Sequence, residues 1–375
     1  MAKYAVGDAY VREVVGSELE GKKLLYCIIS LKRASAVLTM EAELGSVLLE
    51  DVVWIVGEGE GESYRQGGNR RVYEGGGLCA SRNLAIELAK KENYDYVVQL
   101  SDDVASRGVY VLSFEKNKKM SELDAFALAD KELWKGMKPC VRESLASEGP
   151  EPTCNEFARS MQKSVSIPAA ATLIASVLQK HPSAKLGGVA PTANIGMYAT
   201  TVPVSTDLFI VGDFMVIDTS TTVRFDETLT LKEDYDFTAQ NMLTYGKVVR
   251  LNKVFALFTH YSNEGGAVDV RGAKKRTKST QEEANPVEQK NIRILHHKFP
   301  GAFKRHKSRG INEIEFKWSQ RSTLIGGTKN IPRPSIDAEN PPSTKQSKKS
   351  LQPKITSFFS PTRLNNNNNN KSSSS

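Results

Sequence analysis

The sequence has few cysteines and no long apolar run, and these absences exclude several classes of protein. Its four cysteines, Cys27, Cys79, Cys140 and Cys154, are far apart and form no CxxC pair, so neither a disulfide framework nor a structural zinc site is predicted. The longest apolar runs, such as residues 169–178, fall short of the roughly 20 residues that span a bilayer. The N-terminus also lacks the basic and then apolar pattern of a signal peptide. We therefore expect a protein that is neither membrane-inserted nor secreted.

Acidic and basic residues are unevenly distributed over the 375 residues. Residues 1–270 contain 29 Lys or Arg and 36 Asp or Glu, whereas residues 271–375 contain 22 Lys or Arg and only 7 Asp or Glu. An acidic body with a basic C-terminal part is typical of a catalytic unit tethered to a polyanion such as nucleic acid or an anionic membrane surface. The alternative is a solvated tail whose charge has no specific partner.

Apolar runs alternate with helix-like segments between residues 24 and 260, and this alternation predicts an α/β fold with a mostly parallel central sheet and flanking helices. Strands are predicted at residues 24–31, 52–56, 94–100, 186–190, 208–217 and 248–257. Helices are predicted at residues 82–92, 121–134, 168–179 and 235–245, the third of them starting at Pro168.

Composition divides the chain into three parts. Residues 1–270 are expected to form the α/β domain, and residues 271–324 a basic extension, helical and packed on the body, in which four aromatic residues persist. Residues 325–375 are rich in Gly, Pro, Ser, Lys and Asn, and they have too little apolar area to offset the entropy of the chain. This last part is expected to be disordered.

The first acidic motif is QLSDDV at residues 99–104. It places Asp102 and Asp103 after a predicted strand, at the edge where open α/β sheets bind ligands. Two adjacent carboxylates repel each other unless a cation neutralises them, and carboxylate oxygens suit Mg²⁺ or Mn²⁺. The alternative interpretation is a turn or a helix cap.

The second acidic motif, KEDYDF at residues 232–237, places Glu233, Asp234 and Asp236 at the start of a predicted helix. Carboxylates there favour the helix dipole, which is a purely structural explanation. The functional alternative is a general base that takes a proton from an attacking hydroxyl. Further along, His260 lies between a predicted strand and a Gly-Gly loop, where it is either structural or a metal ligand.

Taken in series, these motifs resemble those of nucleotide-sugar glycosyltransferases of the GT-A fold. The segments GGVAPTAN (187–194) and LFIVGDFMVID (208–218) resemble the TET-associated glycosyltransferases in particular. That family includes the base J glucosyltransferase and is linked to sugar addition onto hydroxymethylated pyrimidines in DNA. The resemblance covers roughly two thirds of the chain. It departs from the superfamily at Ser101, where a first aspartate is common. This leaves open whether the metal-binding carboxylates are Asp102 and Asp103 together or Asp103 alone.

The resemblance implies a role for each matching residue. Ser30, Lys32, Arg33 and Glu58 would surround the nucleotide, and Arg82 and Asn83 would face the nucleotide-sugar. Asp103 with Asp102, and His260 as a second protein ligand, would bind a divalent metal ion, Mn²⁺ or Mg²⁺, that bridges the diphosphate. Glu233 or Asp234 would be the base of an inverting displacement, and Asp213 would line the sugar or acceptor site. The implied donor is a UDP-sugar.

QPKITSFF at residues 352–359 matches the box by which proteins bind the sliding clamp, the proliferating cell nuclear antigen (PCNA). Gln352, Ile355, Phe358 and Phe359 carry the match, because a short helical turn would bring the aliphatic and the two aromatic side chains into one apolar pocket. A clamp tether and a basic extension indicate DNA as a partner, in the nucleus or at a site of viral DNA replication. KKRTK (274–278) and KRHKSR (304–309) would contact phosphates or direct nuclear import.

The sequence therefore predicts a metal-dependent DNA-base glycosyltransferase that is recruited by a sliding clamp. Two alternatives stay open: an enzyme of the same fold that acts on a protein or glycan, and a non-catalytic clamp-binding module.

Overall fold

The computed structural model describes residues 4–103, 109–112, 162–191, 202–257, 266–270, 284–307 and 309–319. All of them belong to one compact unit, Met1–Gly327, and the second unit, Thr328–Ser375, lies wholly outside the described residues. Within the part that is described, every helix is too short or too polar to cross a membrane.

The described strands are β1 (Leu24–Ile29), β2 (Val52–Val56), β3 (Arg71–Glu74), β4 (Tyr96–Ser101), β5 (Val109–Leu112), β6 (Gln162–Val165), β7 (Leu186–Ala190), β8 (Val204–Ser205), β9 (Phe214–Asp218), β10 (Val249–Ala256), β11 (Phe303–Arg305) and β12 (Ile314–Phe316). The described helices are α1 (Ala5–Val15), α2 (Val37–Leu44), α3 (Gly61–Arg65), α4 (Leu78–Lys91), α5 (Ile167–Lys180), α6 (Glu233–Tyr245), α7 (Ala267–Val270) and α8 (Pro286–Lys298).

Ten of these strands form one mixed, mostly parallel sheet in the order β3-β2-β1-β4-β9-β7-β10-β5-β6, with β8 paired to β10. Strands β3, β2, β1 and β4 are mutually parallel, and β7 and β10 are also parallel to each other. Strand β9 runs antiparallel to both β4 and β7. The α/β class with a mostly parallel sheet is confirmed, and the architecture is compatible with a Rossmann-like fold.

The two faces of the sheet are covered by different helices, which explains why the central strands are apolar on both sides. Helices α1, α2 and α5 pack on one face around Trp54 and Met40, while α4, α6 and α8 pack on the other around Ile55 and Phe237. The strands at residues 52–56 and 186–190 have the predicted bounds. The strand predicted at residues 208–217 is shorter, because the chain up to Asp213 approaches the acidic residues of α6 before β9 begins at Phe214.

Strand order creates a crevice at one edge of the sheet. From β1 the chain builds β2 and β3 on one side and then returns through α4 to place β4 on the other side of β1. Ile29 and Ser101, the last residues of β1 and β4, lie in register. A reversal of strand order of this kind opens a ligand-binding crevice outside the carboxyl ends of the strands. Because β9 is antiparallel to β4, its first residue, Phe214, lies opposite Leu100 at the same edge.

Candidate functional site

The first acidic cluster lies at the carboxyl ends of β1 and β4. Arg33 Nη1 donates to Asp102 Oδ1 at 2.6 Å and to Asp103 Oδ1 at 2.7 Å, so one guanidinium bridges both carboxylates. Ser30 Oγ donates to Asp102 Oδ2 at 2.5 Å and lies 2.7 Å from the hydroxyl of Tyr64. The structure therefore brings together Ser30, Arg33, Asp102 and Asp103, as expected for groups at neighbouring strand ends.

Asp102 is almost inaccessible, and its ionisation reflects opposing effects. Burial raises the pKa of Asp102, and Asp103 adds to this, while Arg33 and the Ser30 hydroxyl oppose it. Burial lowers the pKa of Arg33, but the two aspartates outweigh burial and the net shift is upward. This cluster is a desolvated carboxylate pair whose charge is offset by a single cation.

The loop after β1 turns through Lys32, which has a left-handed backbone conformation with φ of 59°. Its backbone N–H donates to Glu60 Oε2 at 2.8 Å, and its Nζ lies 2.8 Å from Asp269 Oδ2 in an exposed ion pair. Glu58 is exposed in the loop after β2. In the loop after β2, it is therefore Glu60 whose carboxylate contacts Lys32, a predicted nucleotide-binding residue.

The second acidic cluster lies at the N-terminus of α6. Arg82 Nη2 lies 3.1 Å from Glu233 Oε1 and donates to the carbonyl of Gly212 at 2.9 Å, while Asp234 Oδ2 accepts from the Gly212 N–H at 3.1 Å. A Cβ on Gly212 would lie 2.8 Å from Arg82 Nη2, so a larger residue here would displace the guanidinium from its present position. The glycine of the GDF segment thus leaves room for Arg82 in this cluster.

Asp234 has the most perturbed ionisation in this cluster. Burial among protein groups raises the pKa of Asp234 well above its ordinary value, and the charges of Glu233 and Asp213 raise it further. The Gly212 N–H and Arg82 act in the opposite direction. A carboxyl with a raised pKa at a ligand-binding edge is suited to proton transfer near neutral pH.

A short backbone bridge joins the two clusters. The N–H of Ser101 donates to the carbonyl of Asp213 at 3.0 Å. Ser101 is the residue before Asp102, and Asp213 is the residue after Gly212. The predicted metal-binding and base residues therefore belong to one edge of the sheet.

Asn83 and Asp236 make structural contacts within the fold. Both side-chain amide atoms of Asn83 bind the main chain of Phe225, donating to its carbonyl at 3.0 Å and accepting from its N–H at 2.8 Å. Asp236 is inaccessible and forms an ion pair with Lys298 of α8. Asn83 thereby holds the loop that precedes α6, and Asp236 links α6 to α8.

The predicted second metal ligand, His260, and the clamp-binding residues Gln352, Ile355, Phe358 and Phe359 lie outside the described residues. The chain is described again at Gly266, where an added Cβ would lie 3.1 Å from Arg33 Nη2. Gly266 thus lies beside Arg33 of the first acidic cluster.

Asp102 and Asp103 are the described residues among the predicted metal ligands. Within the described ranges, no group of three or more His, Cys, Asp or Glu side chains is arranged to hold a metal ion. Asp102 and Asp103 supply carboxylate oxygens of the kind that Mg²⁺ and Mn²⁺ prefer. These two residues fit half of a cation site, and the remaining ligands would have to come from a diphosphate and from residues outside the described part.

Sequence inspection missed three residues that organise this edge. Tyr64 accepts from the Arg33 N–H at 2.9 Å and contacts Ser30. Gln99 exchanges hydrogen bonds with Arg82, accepting at 3.2 Å and donating to its carbonyl at 2.8 Å. Glu60 accepts from Lys32. Only Gln99 had a signal in the sequence, as a polar residue in an otherwise apolar strand.

No protein-family model matches this chain, and no curated protein shows significant similarity to it.

Proposed function

We propose that this chain is a metal-dependent glycosyltransferase of the GT-A fold, related to the TET-associated glycosyltransferases. It would move a sugar from a nucleotide-sugar, a UDP-sugar such as UDP-glucose, onto the hydroxyl of a hydroxymethyl-pyrimidine base in DNA. The supporting observation is that two separate carboxylate clusters, Asp102 with Asp103 and Glu233 with Asp234, share the carboxyl edge of β1 and β4. Glycosyl transfer from a diphosphate needs two such groups, one for the cation and one for the proton.

On the donor side, Asp103 and Asp102, with His260, would hold the divalent ion. Bound there, the ion would offset the charge that develops on the leaving diphosphate. Ser30, Lys32, Arg33 and Glu58 would contact the nucleotide, and Glu60 and Tyr64 support the same loop. Arg82 and Asn83 would lie on the sugar side.

On the acceptor side, Asp234 would accept the proton of the attacking hydroxyl, with Glu233 as the neighbouring carboxylate. The acceptor oxygen forms a bond to the anomeric carbon as the bond from that carbon to the diphosphate breaks, and the electron pair leaves with the nucleoside diphosphate. Asp213 raises the pKa of Asp234 and borders the same space. Attack from the opposite face would invert the anomeric centre.

DNA is the proposed acceptor because the C-terminal part is strongly basic and contains a sequence that matches a clamp-binding box. Binding of Gln352, Ile355, Phe358 and Phe359 to the sliding clamp would hold the enzyme on newly replicated DNA and raise its local concentration there. The corresponding location is the nucleus, or the site of viral DNA replication.

A non-catalytic binding module is the second candidate, and one contact favours it. Arg33 already neutralises Asp102 and Asp103, so the pair is compatible with a cation-free fold. In that case the carboxylates would be structural and the clamp box would carry the function.

The test is to incubate the full chain with Mn²⁺, a panel of radiolabelled nucleotide-sugars and DNA that contains hydroxymethyluracil or hydroxymethylcytosine. Label in the DNA supports the proposal. Hydrolysis of the donor without transfer to DNA indicates a protein or glycan acceptor, and absence of donor binding indicates the non-catalytic module.

Matched variants connect the activity to the site. Asp103→Asn and Asp234→Asn should each lower transfer by at least about 100-fold, since each removes a group that acts in the transition state. Asp207→Asn is the control, because Asp207 is an exposed carboxylate on the loop before β9. Equal activity in all three variants would contradict the assignment.

A further inference from the structure

The segment formed by α8 and the β11–β12 hairpin, residues 284–319, is anchored to the loop that leads into α6. Lys232 Nζ lies 2.9 Å from Glu288 Oε2, and both side chains are almost inaccessible. Asn291 accepts from the Thr230 N–H at 3.1 Å, and Lys298 forms ion pairs with Asp226 and Asp236. Because these contacts flank Glu233 and Asp234 in sequence, the position of the segment relative to the second acidic cluster is fixed.

The hairpin lies directly beside the N-terminus of α6. Tyr235, the residue after Asp234, donates its hydroxyl to the carbonyl of Ile314 at 3.2 Å, and its ring stacks on Phe209 with centroids 4.1 Å apart. Phe303 and Phe316 of the hairpin contact the same two rings. The hairpin therefore contacts Tyr235, the residue that follows the proposed base in the sequence.

Exposed positive charge lies on both parts of this segment. On α8 the buried residues lie on one side, and Lys290 and Arg293, one helical turn apart, lie exposed on the other. Lys304 and Arg305 are exposed on the hairpin. In the described part of the chain, none of these four side chains has a hydrogen-bond or ion-pair partner, and we refer to the four exposed cations together as the basic face.

The balance of charge in the segment agrees with this. Residues 284–319 contain eight Lys or Arg and three Asp or Glu. Of the three acids, Glu288 is buried against Lys232, and Glu315 is paired with Lys317. Four cations without ion-pair partners contribute little to the stability of the fold. On binding to a polyanion they would release its condensed counterions, and this release favours binding.

We infer that the basic face binds the phosphate backbone of DNA and positions the acceptor nucleotide at the N-terminus of α6. This inference rests on the proposed function, since it names the surface by which the acceptor reaches Asp234. The occupant is DNA because a polyanion complements four exposed cations that have no ion-pair partner, and the hairpin also carries part-exposed Phe316 and Trp318, whose rings stack on each other with centroids 5.8 Å apart.

The experiment uses the full chain and two double variants, Lys290→Ala with Arg293→Ala on the helix and Lys304→Ala with Arg305→Ala on the hairpin. The control, Arg12→Ala with Lys180→Ala, removes the same charge from α1 and α5, which cover the other face of the sheet. Binding to a fluorescent duplex that contains hydroxymethyluracil is measured by anisotropy at several salt concentrations.

Each test variant should bind DNA roughly tenfold or more weakly at physiological salt, and the slope of log affinity against log salt should fall by about 2. The control should keep the slope and the affinity of the original chain within about twofold, apart from a general charge effect. In the transfer assay, the loss should appear as a raised KM for DNA with unchanged hydrolysis of the donor.

Two results would overturn the inference: absence of DNA binding by the unaltered chain, and DNA affinity that changes equally in the control and test variants. Failure of the proposed function has a different signature. If the test variants lose DNA affinity but the unaltered chain transfers no sugar to DNA, the basic face stands as a DNA-binding surface and the glycosyltransferase proposal falls.

Discussion

The Nη1 atom of Arg33 lies 2.6 Å from the Oδ1 atom of Asp102. The same nitrogen lies 2.7 Å from Asp103 Oδ1, so the guanidinium occupies the space between two carboxylates that are proposed to share a divalent ion. A guanidinium and a divalent ion cannot both neutralise this pair at full strength. Metal binding therefore has to compete with Arg33.

The first prediction follows from this competition. Arg33→Met removes the guanidinium but keeps an unbranched apolar stem, so Mn²⁺ affinity measured without nucleotide should rise by roughly tenfold. The metal-free variant should also unfold at a lower temperature, because Asp102 and Asp103 then repel each other without a counter-charge. Calorimetric titration with Mn²⁺ and thermal unfolding measure the two effects. Arg12→Met on α1 is the control, and unchanged or weaker Mn²⁺ binding in Arg33→Met would refute the competition.

A second prediction concerns the pH dependence of transfer. Asp234 must be ionised to accept a proton, so kcat/KM should fall as the pH drops through the pKa of Asp234 in the folded protein. Since burial and Glu233 raise that pKa above its ordinary 3.8, the acid limb should lie well above pH 4. Glu233→Gln removes one of the raising charges and should move the limb to lower pH by about one unit.

The pH–rate profiles of Glu233→Gln, of the control Asp207→Asn and of the unaltered chain provide the measurement. A limb that stays in place in Glu233→Gln would show that Glu233 does not act on Asp234. Complete loss of transfer in this variant would assign the base to Glu233 instead.

Stability and activity should respond oppositely to Asp234→Asn. A carboxyl with a raised pKa binds more protons in the folded than in the unfolded state, so its contribution to stability falls as pH rises from about 4. Near pH 8, where the group ionises in the folded protein, it therefore destabilises the fold, and Asn should increase the free energy of unfolding there by about 1 kcal/mol while abolishing transfer. Denaturant unfolding at pH 5 and pH 8 measures this, and a gain that is not larger at pH 8 would contradict it.

Lys253 should show the opposite pH dependence. It is inaccessible within the irregular stretch of β10 between Leu251 and Phe255, and burial lowers the pKa of Lys253 to about 7. Between that value and the ordinary 10.5 the unfolded state binds more protons, so stability rises with pH. Lys253→Met removes this titration, so it should flatten the pH dependence of the free energy of unfolding above about pH 7. A pH dependence as steep in Lys253→Met as in the unaltered chain would contradict this.

The clamp box gives the fifth prediction. Phe358→Ala combined with Phe359→Ala removes both aromatic side chains that would enter the apolar pocket of the clamp, so binding to purified PCNA should be lost. Transfer to short oligonucleotides should be unaffected, because no clamp is loaded on them. Surface plasmon resonance measures the affinity for PCNA, and the transfer assay measures activity. Phe303 is left intact in every variant. Unchanged affinity for the clamp would refute the docking prediction.

Residues in long apolar runs were predictable because their burial is a local property of the sequence. Strands β2 and β7 are apolar throughout and have the predicted bounds, and α5 begins within one residue of its prediction at Pro168. Helix α1 and strand β3 were not predicted, since α1 begins near the N-terminus without a side-chain cap and β3 is only four residues long. The antiparallel direction of β9 was not predictable either, because the direction of a strand depends on its connections.

Within the candidate site, the sequence indicated that Asp102 and Asp103 follow a strand and that Glu233 and Asp234 begin a helix. It did not reveal that Arg33 would bridge the first pair or that Glu60, rather than Glu58, would contact the loop of Lys32. Hydrogen-bond partners such as Tyr64 come from elements distant in sequence, and no periodicity or spacing encodes that distance.

By itself, the sequence determined the α/β class, the division between an acidic body and a basic C-terminal part, and the identity of the two carboxylate motifs. These properties depend on composition and on short-range apolar patterning, which each segment carries locally. Only the tertiary structure decided that both carboxylate clusters share one edge of the sheet and that the segment of α8 and its hairpin packs against the residues on either side of Glu233 and Asp234. Those relationships arise from strand order and from ion pairs such as Lys232 with Glu288, which form between residues far apart in the chain.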